Sequence, residues 1–93
     1  MKNLEYLLGY IGKSMDDFDI IYNFPIEISN NQYNMCVVFV DGVYQALLFN
    51  YERIVIKDIE YTRNIYNLLK ILYDKYGIQE IQDILINKIN EDE

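Results

Sequence analysis

The sequence predicts a single α+β domain, residues 1–93, in which a small antiparallel sheet packs with three helices in the order α-β-β-β-α-α. Its length is that of one domain. Apolar residues recur with helical spacing near the start and through the second half, whereas the middle alternates and is broken by Asp41-Gly42. We expect three strands, with a fourth as the alternative, and a frayed acidic end over residues 90–93.

The first helix is predicted from apolar residues that recur at the spacing of one helical face: Leu4, Leu7, Leu8, Ile11 and Met15. Asn3 is a suitable N-cap, and two glycines weaken the helix towards its end. Ser14 to Asp17 then has the pattern of a capping box, which predicts a second, short helical turn with Met15 and Phe18 facing inward.

The central part of the chain predicts the sheet. Phe24, Ile26 and Ile28 alternate with polar positions, and residues 29–32 have the composition of a turn. The clearest local signal follows: residues 33–40 and 43–49 flank Asp41-Gly42, a two-residue turn whose residues tolerate positive φ. In that register Val40 faces Val43, and both faces of the hairpin are largely apolar. One face covers the core, and the other must meet helices or another chain.

Two helices are predicted after the hairpin, with residues 53–56 as a further edge strand. Asp58 is taken as the N-cap of the first, and Gly77 follows its end. Its apolar face comprises Tyr61, Ile65, Leu68, Leu69, Leu72 and Tyr76. The inner side of the last helix comprises Ile78, Ile81, Ile84, Leu85 and Ile89.

The composition argues against catalysis and against a metal or other cofactor. The chain has no histidine, the commonest general base and metal ligand, and therefore no imidazole to activate Ser14, Ser29 or Cys36. The single cysteine, Cys36, lies in an apolar run and is expected to be a small buried hydrophobe. With no signal-peptide pattern and no apolar run long enough to span a bilayer, a reduced, cytoplasmic setting is expected.

Net charge is −7, and the carboxylates concentrate in two regions of the sequence. The last sixteen residues hold five acids and one lysine. Such asymmetry disfavours direct nucleic-acid binding and can steer association with a basic protein. The predicted partner-binding residues are Asp16, Asp17, Asp19, Glu80, Asp83, Glu91, Asp92 and Glu93. The plainer alternative is that these charges only keep the domain soluble.

A second candidate surface is a stripe of cations and aromatics on the exposed side of the helix expected after Asp58. It comprises Arg63, Tyr66, Lys70 and Tyr73. Tyrosine and arginine are favoured anchors of protein interfaces, and the same mixture suits stacking on single-stranded nucleic acid. An ordinary solvated helix face explains it equally well.

Three functions follow. The first is a non-enzymatic inhibitor or regulator of a basic, nucleic-acid-handling protein, bound through the acidic residues as a nucleic-acid mimic. The second is a homo-oligomerisation module, possible as a dimer, because both hairpin faces are apolar. The third is a single-stranded nucleic-acid binder. In size, charge and element order the chain is similar to small acidic Ile/Asn/Tyr-rich proteins of phages and mobile elements. That resemblance implies an anti-defence role, since several of those proteins block host nucleases.

Overall fold

The computed structural model describes the backbone of residues 10–92 and the side chains of residues 10–88. Within this range it contains a four-stranded antiparallel sheet in the sequential order β1-β2-β3-β4, followed by two α-helices. The strands are β1 (Ile20–Ile28), β2 (Asn31–Val40), β3 (Val43–Phe49) and β4 (Val55–Thr62), and the helices are α1 (Ile65–Tyr76) and α2 (Gln79–Asp92). The α+β class is confirmed, whereas the predicted order with three helices is wrong: the order is β-β-β-β-α-α.

The predicted first helix does not extend through residues 10–15, and its earlier part, residues 4–9, lies outside the described residues. Gly12 has φ +90°, which an α-helix does not accommodate. The backbone instead pairs with the start of β4: Gly12 N donates to Val55 O at 2.9 Å, and Val55 N donates to Lys13 O at 2.9 Å. The capping box is confirmed as the start of a 3-10 turn over Met15–Asp17, with Met15 buried.

The Asp41-Gly42 hairpin is confirmed residue by residue. Val40 pairs with Val43, and both turn residues have positive φ, 52° and 81°. A second two-residue turn joins β1 to β2, where Ser29 and Asn30 also have positive φ, 51° and 69°. That turn is shorter than the predicted one because Asn31 already pairs with Ile28. Both connections match the twist of antiparallel strands.

The fourth strand is longer than predicted and replaces the first turns of the predicted helix. Residues expected at a helix start, Asp58 and Tyr61, lie in β4 opposite Leu47 and Gln45. Tyr61 precedes Ile65 by four positions, a helical spacing that arose by coincidence across a strand–helix junction. The segment is rich in β-branched and aromatic residues, which favour a strand. Asp58 is therefore not a helix cap.

Helix α1 begins after Asn64, whose side-chain oxygen accepts hydrogen bonds from the backbone N–H groups of Tyr66 at 2.9 Å and Asn67 at 3.3 Å. It ends at Gly77, which has φ +63° as predicted, and Gly77 N donates to Tyr73 O. Helix α2 follows directly, and the two helices pack against each other and against one face of the sheet. Because the connection between the two helices is short, α2 lies next to α1 in the same layer.

Each face of the sheet carries its own apolar cluster. The helix face buries Phe24, Met35, Val37, Ala46 and Leu48 against Leu68, Leu69, Leu72, Ile78 and Ile81. The opposite face buries Met15, Cys36, Val38, Leu47, Phe49 and Val55, with Tyr10, Phe18, Ile20 and Val40 packed around them. The second apolar face of the hairpin is thus covered from within the chain. The observation that suggested an oligomer is accounted for without one.

Candidate functional site

The acidic residues predicted to bind one partner lie in two separate layers. Met15, beside Asp16 and Asp17, is buried in the cluster on the sheet face away from the helices. Ile81, beside Glu80, is buried in the cluster on the helix face. The sheet therefore lies between the two groups. The backbone of Glu91 and Asp92 continues α2, their side chains lie outside the described part, and so does Glu93.

Two of the three carboxylates near residue 16 have structural partners. Asp16 Oδ1 accepts from Arg53 Nη2 at 3.0 Å, an exposed ion pair. Asp17 Oδ2 accepts from the backbone N–H of Ser14 at 3.3 Å and completes the capping box. The backbone carbonyl of Asp19 accepts from Phe39 N, which joins this segment to β2. The group therefore helps to fix residues 14–19 onto the sheet, and the carboxylates of Asp16 and Asp17 already have partners within the chain.

Glu80 and Asp83 differ from that group. They lie three positions apart near the start of α2, both are exposed, and neither forms an ion pair with a described residue. Glu80 is in the first turn, where a negative charge also stabilises the helix. Side chains three positions apart on a helix are neighbours, about 5–6 Å between Cβ atoms. These two carboxylates form the acidic surface, the pair available to a basic partner.

Three of the four residues in the predicted cation–aromatic stripe line one groove between α1 and α2. Tyr66, Lys70 and Tyr73 lie on α1, whereas Arg63 precedes the helix and is not among the lining residues. The groove has a volume of about 480 Å³. Asn67, Asp74, Leu85 and Lys88 complete its lining. The Nζ atom of Lys88 lies 5.3 Å from the centre of the Tyr66 ring, a cation–π contact.

The described residues that line the groove carry a net charge opposite in sign to that of the whole chain. Its lining includes two lysines, Lys70 and Lys88, and one carboxylate, Asp74. The sequence stripe did not reveal Leu85 or Lys88, because they are contributed by the second helix. The spacing of Leu85 and Lys88 along α2 does not by itself show which side of α1 these residues contact. A positive, partly apolar groove suits a ligand that combines an apolar side chain with a carboxylate or phosphate.

Burial raises the pKa of two groups on the sheet, Cys36 on β2 and Asp58 on β4. Burial raises the pKa of the Cys36 thiol to about 11, against a smaller lowering by Arg53, so the thiol stays protonated at neutral pH. Burial also raises the pKa of Asp58, although the hydrogen bond from Gln45 acts in the other direction. Gln45 Nε2 donates to Asp58 Oδ1 at 3.0 Å. Among residues 10–88, no three histidine, cysteine or acidic side chains are grouped to hold a metal ion.

Comparison with known protein families, curated proteins and solved structures finds no match. Within the described range, neither helix is long and apolar enough to cross a membrane. The acidic surface and the groove are therefore the two features that bear on function.

Proposed function

We propose that this protein is a non-enzymatic binding protein that inhibits or regulates a basic, nucleic-acid-handling partner. Its contact residues are Glu80 and Asp83 on α2; the acidic residues 91–93, whose side chains lie outside the described part, are included on the basis of the sequence alone. The observation that carries the proposal is that Glu80 and Asp83 are exposed and form no ion pair with any described residue, whereas Asp16 and Asp17 have structural partners. The acidic residues near position 16 then contribute to the long-range field rather than to the contact.

The physical basis is competition for a cationic groove. A protein that binds nucleic acid neutralises phosphates with lysine and arginine, and that attraction weakens as salt rises. Carboxylates along one helix can occupy the same cations and displace the nucleic acid. As part of this proposal, the protein acts in the cytoplasm and has an anti-defence role like that of the phage proteins it resembles.

The test is affinity capture from a lysate of the source organism at low and high salt, followed by mass spectrometry. We expect one basic partner that is lost at high salt and displaced by added DNA or RNA. The double variant Glu80→Lys/Asp83→Lys should lose it. The control Glu27→Lys/Glu52→Lys changes the net charge equally at exposed positions outside α2 and should retain it. Equal loss in both variants, or in neither, would contradict the proposal.

A homodimer is the second candidate, and the groove between α1 and α2 favours it. Ile86 is 46% exposed on the helix that carries Asp83. The α2 helix of a second copy would place Ile86 against the apolar lining and Asp83 near Lys70 or Lys88. A two-fold axis beside α2 makes these contacts reciprocal, since the same helix supplies both groove and occupant.

Sedimentation equilibrium over a range of concentrations tests the dimer. We expect the Lys88→Asp variant to be monomeric. Adding Asp83→Lys should restore association, because the two charges are then exchanged. A wild-type protein that stays monomeric throughout removes this candidate. The third function, single-stranded nucleic-acid binding, is weakened because Arg63 does not line the groove. A flat anisotropy titration with oligonucleotides at low salt removes it as well.

A further inference from the structure

The end of the sheet away from the Asp41-Gly42 turn contains a notch beside a central strand. Strand β2 pairs with β1 from Asn31 onward, but its pairing with β3 begins only at Asn34, opposite Phe49. Residues 31–33 therefore have a strand neighbour on one side only. On the other side the chain leaves β3 at Asn50 and Tyr51, which form the second wall of a notch of about 380 Å³.

Hydrogen bonds and turn geometry fix both walls of the notch. Asn50 Oδ1 accepts from Ile54 N at 3.0 Å, and Asn50 N donates to Ile54 O at 3.0 Å. Arg53, with φ +68°, donates its N–H to Asn50 O at 2.9 Å. The other wall follows the tight turn at Ser29-Asn30. The notch is thus largely preformed, as small-molecule sites usually are.

Every described residue that lines the notch has a neutral side chain: Asn30, Asn31, Gln32, Tyr33, Asn50 and Tyr51. A quarter of the chain is charged, so a wholly neutral lining is informative. Each amide offers both donors and an acceptor, which suits a ligand whose own groups both donate and accept. Tyr51 is 85% exposed and presents an aromatic ring to the solvent. Within the part of the chain that the structure describes, no charged side chain lines the notch to balance an ionic ligand.

From this chemistry we propose that the amide–tyrosine notch binds a neutral carbohydrate of one or two sugar units. Sugar hydroxyls both donate and accept hydrogen bonds, so they match the side-chain amides that line the notch. The C–H face of a sugar ring packs on the Tyr51 ring. The net charge of −7 repels phosphate-bearing ligands and so favours a neutral one. An extended peptide is less suitable, because the open flank of β2 is only residues 31–33. This site goes beyond the proposed function and does not depend on it.

The test is an NMR titration of the full ¹⁵N-labelled chain with D-glucose, N-acetyl-D-glucosamine and maltose, each up to tens of millimolar. At least one sugar should give saturable shifts confined to residues 30–33 and 50–51. Tyr51→Ala and Gln32→Ala should each weaken binding at least about 10-fold, which corresponds to about 1.4 kcal/mol. Tyr61→Ala, at a 43% exposed tyrosine of β4 away from the notch, is the matched control and should leave the affinity unchanged.

Three outcomes overturn the carbohydrate site. The first is that no sugar shifts these residues. The second is that binding persists at full affinity in Tyr51→Ala and Gln32→Ala. The third is that the neutral peptide Ala-Ala-Ala shifts residues 31–33 while the sugars do not, which would make the notch a site of strand addition. Unchanged backbone spectra elsewhere in each variant show that the fold is intact.

Discussion

At the scale of single residues, the contact between Gln45 and Asp58 is the polar exception on an otherwise apolar sheet face. One hydrogen bond joins the two side chains, but Gln45 Oε1 and Asp58 Oδ2 are both buried without a hydrogen-bond partner among the described residues. A charged carboxylate in this position is desolvated, and the raised pKa of Asp58 reflects that cost. Protonated Asp58 could instead act as a donor.

The pH dependence of stability follows from that raised pKa. The folded chain holds the Asp58 proton to higher pH than the unfolded chain, whose value is near 3.8. Stability from this group is therefore fully present below that value and falls as pH rises through the folded pKa. Asp58→Asn keeps an acceptor for Gln45 Nε2, adds a neutral donor and removes the charge. We expect it to stabilise the protein at neutral pH by about 1 kcal/mol, the usual net contribution of a hydrogen bond.

Urea unfolding at a series of pH values from 3 to 8 measures the Asp58 effect. The difference between Asp58→Asn and wild type should grow as pH rises through the folded pKa of Asp58 and then level off. Asp41→Asn is unsuitable as a control because Asp41 sits in a turn with positive φ. Asp74→Asn, an exposed carboxylate on α1, is the better one and should show little difference. A destabilised Asp58→Asn at neutral pH would show that the charge is favourable here.

Cys36 gives the second prediction at this scale. Its thiol is fully buried and its pKa is raised to about 11. Because the thiolate is the reactive form, modification by a disulfide reagent at pH 7 should proceed only through opening of the sheet. The rate should therefore rise with urea in parallel with unfolding. Fast, urea-independent labelling would mean that Cys36 is accessible in the folded state.

At the scale of elements, the N-cap of α1 is the most economical test of the helix boundary. Asn64 supplies two hydrogen bonds to the first turn. Asn64→Ala should lower the free energy of unfolding by about 1 kcal/mol, as for other N-caps. Asn67→Ala, within the helix and exposed, should be neutral or slightly stabilising because alanine has the higher helix propensity. Thermal unfolding followed by circular dichroism distinguishes the two, and equal effects would contradict the boundary at Asn64.

The same boundary shows which elements the sequence could predict. The hairpin was predictable because Asp41-Gly42 sets both the turn and the register locally. The end of α1 was predictable because a glycine such as Gly77 readily adopts the left-handed backbone conformation that ends a helix. Strand β4 was not, because Tyr61 lies at helical spacing from Ile65 and no glycine or proline separates strand from helix. Tertiary pairing with β3 decided its conformation.

The candidate site likewise contains residues that the sequence could group together and residues that it could not. Tyr66, Lys70 and Tyr73 share one helix, so their common position in the groove followed from periodicity. Lys88 and Leu85 could not be assigned to it, since that requires the packing of α2 on α1. The acidic residues near position 16 were grouped with those of α2 by composition alone. Their separation by the sheet depends on residues 12–15 pairing beside β4, a contact between distant parts of the chain.

At the scale of the whole molecule, one sheet supports two cores, so we predict that they unfold together. Adjacent residues of β2 point to different faces: Met35 and Val37 belong to the helix face, and Cys36 and Val38 to the opposite face. Neither face can lose its cover without exposing a strand that also supports the other. A single cooperative transition is therefore expected, as for most domains of this size.

Two large-to-small substitutions test that coupling. Met15→Ala opens the opposite face, and Leu72→Ala opens the helix face; both side chains are buried. Each should cost about 2–5 kcal/mol. Because the two sites lie on different sides of the sheet and share no cluster, the costs should add in the double variant within about 0.5 kcal/mol. If adding both costs leaves the chain unfolded, Ile81→Val and Val38→Ala offer a milder pair on the same two faces.

Urea unfolding followed by both circular dichroism and tyrosine fluorescence gives the decisive measurement. In every single variant the two signals should give one coincident transition, shifted to lower urea with an unchanged slope. Suppose instead that Met15→Ala unfolds in two steps while Leu72→Ala unfolds in one. Residues 10–18 would then detach from a sheet that the helices still hold, and the opposite face would become an exposed apolar surface. In that case the homodimer regains its original motivation, and the sedimentation experiment should be repeated on Met15→Ala.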